Sequence, residues 1–175
     1  LTESWKHLEL RDEDFFERET KMRRKVVGLG RLAALEQSYL VCLGDRLWEE
    51  HSGTRTYFGM GLAEGSDDKI RTFRHLLDLL RNSQAEQYRV PVIYGYLRSI
   101  HEENPSLFRE LVESTLHEEK LCEQFVYLLG AAEISPWGTK KLIELARNKT
   151  LLAWSFTQIS YGRFHEPIHD NDLAE

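Results

Sequence analysis

Helix-start signals recur at near-even spacing through the second half of this chain. Ser66, Asn104-Pro105, Ser135-Pro136 and Asp170 each offer a short polar side chain that can accept from the free N–H groups of a first helical turn, and proline's fixed φ suits that turn. These starts are separated by 38, 31 and 35 residues. That is the period of stacked helix pairs, in which each unit buries its apolar face against the next. No run shows the two-residue alternation of a strand. The expected fold is therefore all-α, with helical hairpins stacked as an α-solenoid, a right-handed superhelix.

The apolar pattern divides the chain into three parts. Residues 1–52 read as N-terminal helices: Phe15, Met22, Val26, Leu29, Leu32, Leu35, Tyr39, Cys42, Leu43 and Leu47 fall at three- and four-residue steps along one buried face. Gly28 and Gly30 each disfavour a helix interior by about 1 kcal/mol relative to alanine, which predicts two helices with a break or a close helix contact near Val27 to Arg31. Residues 53–65 contain Gly53, Gly59, Gly61 and Gly65 without a sustained period, and read as a glycine-rich loop. Residues 66–175 hold about three helix pairs and the start of a fourth. In the first pair Ser66 is the expected cap and Ile70, Phe73, Leu77 and Leu80 the stripe, with Pro91 opening the partner helix of Ile93, Leu97 and Ile100. Leu107, Leu111, Leu121, Phe125 and Leu128 serve the second pair, and Leu142, Ile143, Ala146, Leu152, Phe156 and Ile159 the third. The sequence starts without methionine and stops one turn after Asp170, which suggests one continuous domain cut from a longer chain.

Composition narrows the function classes. A formal net charge of −6 gives no general lysine and arginine excess for counterion release, which argues against nucleic acid as a partner. Cys42 and Cys122 lie in apolar helical stretches, as buried thiols of a reducing, cytoplasmic compartment would. No apolar run reaches the roughly 20 residues that a bilayer crossing needs.

The succession of Gly59-Met60-Gly61-Leu62-Ala63, Tyr94-Gly95-Tyr96-Leu97, Asn104-Pro105, the Gly138-containing helix start, and Tyr161-Gly162-Arg163 before Asp170-Asn171-Asp172-Leu173 resembles HEAT-like α-solenoid regions of large bacterial multidomain proteins. These include NTPases of the signalling and phage-defence kind. The resemblance runs from Gly59 to Glu175. It implies a scaffold, sensor or oligomerisation surface, with nucleotide or effector chemistry in other domains and no catalytic position carried over.

One literal catalytic string is present, His165-Glu166-Pro167-Ile168-His169, which matches the H-E-x-x-H pattern of zinc hydrolases. That chemistry needs both histidines one turn apart on an unbroken helix, and Pro167 opposes such a helix by removing a donor. A zinc-dependent hydrolase using His165, Glu166 and His169 is thus the alternative function, and an RNA-binding helical repeat the second alternative. Gly28-Leu29-Gly30 and Gly59-Met60-Gly61 lack the strand and full spacing of a phosphate loop. The clusters Glu49-Glu50-His51, His101-Glu102-Glu103 and His117-Glu118-Glu119 fall near helix ends, where solvated caps explain them. The expectation is therefore no catalytic residue, no resident metal and no cofactor. The basic run Lys21 to Lys25 follows Glu17 and Glu19 at one-turn spacing and reads as a solvated face. Aromatic residues beyond the leucine stripes supply the candidate protein-contact positions, Trp137, Tyr96 and Tyr161.

Overall fold

The computed structural model describes residues 3–48, 53–85, 89–132 and 135–148, with side chains of the first helix described from Phe15 onward. Its eight α-helices are α1 (Glu3–Leu35), α2 (Ser38–Leu43), α3 (Gly53–Gly65), α4 (Lys69–Asn82), α5 (Pro91–Glu103), α6 (Pro105–Ser114), α7 (Phe125–Leu129) and α8 (Pro136–Arg147). Single 3₁₀ turns follow α2, α6 and α7 and precede α7, and no strand occurs among the described residues. The fold is all-α, as the sequence predicts.

The cap chemistry holds at two of the repeated starts. Asn104 Oδ1 accepts from Leu107 N at 3.1 Å and Ser135 Oγ from Gly138 N at 3.3 Å, each followed by proline in the first turn. Pro91 opens α5 without a side-chain cap. At the first start the cap moves two residues: Asp68 Oδ1 accepts from Arg71 N at 2.9 Å. Ser66 is buried instead, its hydroxyl 2.6 Å from Thr72 Oγ1 and donating to Asp68 O.

Two N-terminal expectations are corrected. α1 passes unbroken through Gly28 and Gly30, so that of the break or close helix contact expected near Val27 to Arg31 it is the close contact that forms, and the chain bends by 117° only at the junction with α2, around Glu36 and Gln37. Residues 53–65 form helix α3 rather than a loop, with Gly59 to Ala63 all buried. The reason is the same in both places. Glycine on a helix face removes the side-chain period that identifies a helix, yet it lets a second backbone approach, and that contact outweighs the propensity cost.

Across the α1–α3 contact, Val27 O faces Gly61 and Phe58 O faces Gly30, and a Cβ on either glycine would lie well inside 3.0 Å of that carbonyl. The α3–α5 contact repeats the arrangement: Thr56 O faces Gly95 and Val92 O faces Gly59. On every helix involved the carbonyl stands three residues before the glycine, and the amide nitrogens of Leu62 and Tyr96 abut Gly30 and Gly59 in equivalent fashion. A shift of 29 residues on the first helix and 34 on the second superposes one contact on the other. Carbonyls set against glycine Cα hydrogens add weak C–H···O attraction to the close packing.

Helices α1 and α3 run parallel. The Arg23 guanidinium lies 5.1 Å from the Tyr57 ring centroid, Val27 meets Gly61, and Arg31 meets Gly65, a constant displacement of 34 residues. Arg31 Nε also donates to Glu64 Oε2 at 2.8 Å. Beyond α5 the row continues with the turn after α7, where the Tyr94 ring stacks on Tyr127 at 4.8 Å and its hydroxyl donates to Gly130 O at 3.3 Å.

The intervening helices form a second set of neighbours. Ile70, Phe73 and Leu77 of α4 line one groove with Leu111 and Ser114 of α6. From α4, Arg81 Nε donates to Glu118 Oε2 at 2.8 Å. Lys141 of α8 pairs with Glu113 of α6 at 3.1 Å, and the Arg109 guanidinium stands 5.4 Å from the Trp137 ring centroid. Two lysines close helix C-termini, where carbonyls lack partners. Lys69 Nζ donates to Ala63 O at 2.5 Å and Ser66 O at 3.0 Å, and Lys120 Nζ to Leu80 O at 2.9 Å and Ser83 O at 2.8 Å. The core lies between the two sets, with Trp48, Phe73, Tyr96, Phe108 and Phe125 fully buried.

Candidate interaction surface

The feature that stands out is at the N-terminal end of the row. Helix α1 packs on α3 through Val27, Gly30, Arg31 and the buried Ala33, which leaves its opposite side without a covering element among the described residues. Phe15, Met22, Leu29, Leu32 and Leu35 are exposed there, with Leu29 59%, Leu32 58% and Leu35 71% accessible. The bend into α2 sets Tyr39, Cys42 and Leu43 beside Leu29, Leu32 and Leu35, and with Phe58 they line an apolar groove of about 550 Å³. Scattered exposed leucines are ordinary, but a contiguous patch of this kind marks an interaction site.

The local sequence accounts for the elbow. Ser38 Oγ donates to Glu36 Oε1 at 2.8 Å in the bend, and α2 is only six residues long. It stops at Gly44, whose φ of +51° lies in the left-handed region that glycine enters without a Cβ penalty. Leu40 of α2 points into the core, so its neighbours Tyr39, Val41 and Leu43 are turned outward.

The sequence-predicted contact residues are not gathered here. Tyr96 is fully buried between α3, α4 and α5, and its hydroxyl donates to Lys69 O at 2.8 Å. It is therefore a core residue and not a partner contact: its backbone nitrogen abuts Gly59 at the α3–α5 interlock while its ring packs against Phe73 of α4, 6.0 Å between centroids. Trp137 is half-buried against the core, with Arg109 at its ring. Tyr161, and the string containing His165, Glu166 and His169, lie outside the described residues. Cys42 is exposed on the groove rather than buried, because α2 turns that face outward, and Cys122 is intermediate; both are free thiols.

The sequence carried a signal for the missed surface. Val26, Leu29, Leu32, Ala33 and Leu35 span too wide an arc for one buried helix face, so two faces of α1 are apolar, of which α3 covers one. The assignment of Phe15, Met22, Leu29, Leu32 and Leu35 to the buried face is corrected accordingly.

The electrostatics of the buried aromatic groups bear on stability. Burial pushes the Tyr127 hydroxyl up to about 12, with the neighbouring Tyr94 adding to it, and burial raises Tyr96 further. The Glu113 carboxylate, hydrogen-bonded to Lys141, raises that ammonium above its usual range. A folded-state value above the unfolded one means stability that is complete below the unfolded pKa and lost as pH rises through the folded one. Stability is thus expected to fall from about pH 10 toward 12. Urea midpoints taken across that interval check this, and Tyr127→Phe should remove part of the slope.

Among the described residues no three His, Cys, Asp or Glu side chains come together as metal ligands, and no single helix is long and apolar enough to cross a membrane. Compared with protein-family models, curated proteins and solved structures, the chain has no match.

Proposed function

We propose that this chain is a HEAT-like α-solenoid segment of a larger bacterial cytoplasmic protein, a non-catalytic scaffold or sensor that works through protein–protein contact or self-association. The observation that carries the repeat reading is the interlock of α1 on α3 reproduced by α3 on α5, which supports reading α1, α3 and α5 as equivalent members of successive units. The 34-residue displacement between α1 and α3 agrees with the spacing of the helix starts further along the chain. Stacked units of this kind contact only their neighbours and expose long side faces, which is how repeat proteins hold partners. The uncovered apolar side of α1 supports the contact role, since a contiguous exposed apolar patch marks an interaction site.

Excision of one unit tests the repeat reading. Deleting residues 61–94 joins Met60 to Gly95 and places Gly95 where Gly61 stood, opposite Val27. If the units are equivalent, the shortened chain keeps its helical circular dichroism per residue and melts cooperatively. Deleting residues 61–92, two residues out of phase, keeps Gly95 but turns it about 200° away from Val27 and should abolish folding. Equal loss of structure in both deletions counts against a repeat and in favour of a closed globule.

A further inference from the structure

We propose that the uncovered face of α1 is a self-association surface, on which the α1 helices of two copies of this chain pair antiparallel about a two-fold axis. This rests on the contact role proposed above and names its partner.

The first support is the reach of α1. Its displacement of 34 residues from α3 sets Gly53 level with Glu19, so residues 3–18 extend roughly 24 Å beyond the start of α3. Phe15 and Phe16, on the near end of this arm, are 63% and 64% exposed. An arm with exposed phenylalanines gains by lying against another apolar helix.

The second is the period on the exposed side. Phe15, Met22 and Leu29 recur at seven-residue steps, and in the sequence Leu8 continues the series toward the N-terminus. One apolar position in every heptad supplies half of a helix-pair seam, here flanked by the charged Arg18, Glu19 and Lys25, whereas the face that α3 covers follows glycines and small residues.

The third is charge, and it selects a second copy in a defined orientation. The segment up to Arg18 carries Asp12, Glu13, Asp14 and Glu17 beside Arg11 and Arg18, and the segment from Glu19 carries Lys21, Arg23, Arg24 and Lys25. Two such helices in parallel would oppose like with like. Antiparallel pairing centred between Arg18 and Glu19 sets Arg18 of each copy opposite Glu19 of the other, two acid–base pairs that flank the seam, with position 12 opposite 25 further out. The same register sets Phe15 opposite Met22, so charge and apolar patterns agree on one alignment. It also runs residues 3–8 of one copy along residues 29–34 of the other, at the elbow groove. Such an interface is isologous and closes as a dimer.

The test is the mass of the intact chain by sedimentation velocity over micromolar concentrations. A dimer is expected, and Phe15→Glu or Met22→Glu should weaken it about thirtyfold or more while leaving the monomer's helical content unchanged, because both side chains are exposed. Two charge variants fix the orientation. Arg18→Glu, and separately Glu19→Lys, should each be monomeric alone, and the two variants mixed should form a heterodimer. A wild-type chain that stays monomeric overturns the proposal, as does a dimer indifferent to Met22→Glu or charge variants that self-associate like wild type. A monomer that instead sediments with anionic phospholipid vesicles would reassign the face to a lipid surface. None of these outcomes depends on the excision test above, so a failed dimer and a failed repeat are distinguishable.

Discussion

Alanine at Gly61 or at Gly95 is expected to destabilise the protein by about 3 kcal/mol or more, although alanine is the better helix former by about 1 kcal/mol. At Gly61 the new methyl would press on the backbone of Val27, and at Gly95 on that of Thr56. Neither contact is with the flexible end of a side chain. Relief requires α3 to move off α1 or off α5, which opens the buried layer around Leu62 and Tyr96. Gly28 supplies the opposite sign within the same helix: a Cβ there meets nothing within 4 Å, so Gly28→Ala should stabilise by about 0.5–1 kcal/mol. Urea midpoints at constant m value measure all three. Stabilisation at Gly61 and Gly95 as well would mean that these helices are not interlocked through their backbones.

Leu128→Ala is the second large effect, a loss of roughly 2–5 kcal/mol. Leu128 is fully buried in α7, within the core that also holds Phe125 and Leu129. Truncation leaves a cavity whose lining belongs to several short elements. The spread in the expected cost reflects how far those elements can close it. Leu35→Ala makes the comparison, since a side chain 71% exposed should change stability by under about 0.5 kcal/mol in dilute chain, below any association. Comparable losses at both positions would place the core elsewhere.

These two predictions fall on different kinds of evidence. Leu128 was legible as a stripe residue, because a buried leucine in an amphipathic period announces itself. Gly61 and Gly95 were legible only as glycines. A residue without a side chain reports neither the face it lies on nor the element it touches, so α3 read as a loop although it sits between α1 and α5. The elbow groove was hidden differently: Leu29, Leu32 and Leu35 carry the same apolar signal whether a neighbour covers them or not.

The sequence by itself determined that the chain is helical, where α5, α6 and α8 begin, and that Asn104 and Ser135 cap, since these follow from local hydrogen bonding and from proline's fixed φ. It also contained the alternating charge blocks of α1. Only the tertiary structure decided which side of α1 is covered, that Tyr96 belongs to the core, and that Asp68 rather than Ser66 caps α4. Those outcomes depend on which backbones approach one another. That approach is set by glycine pairs 31 and 36 residues apart in the chain, a separation that no local periodicity encodes.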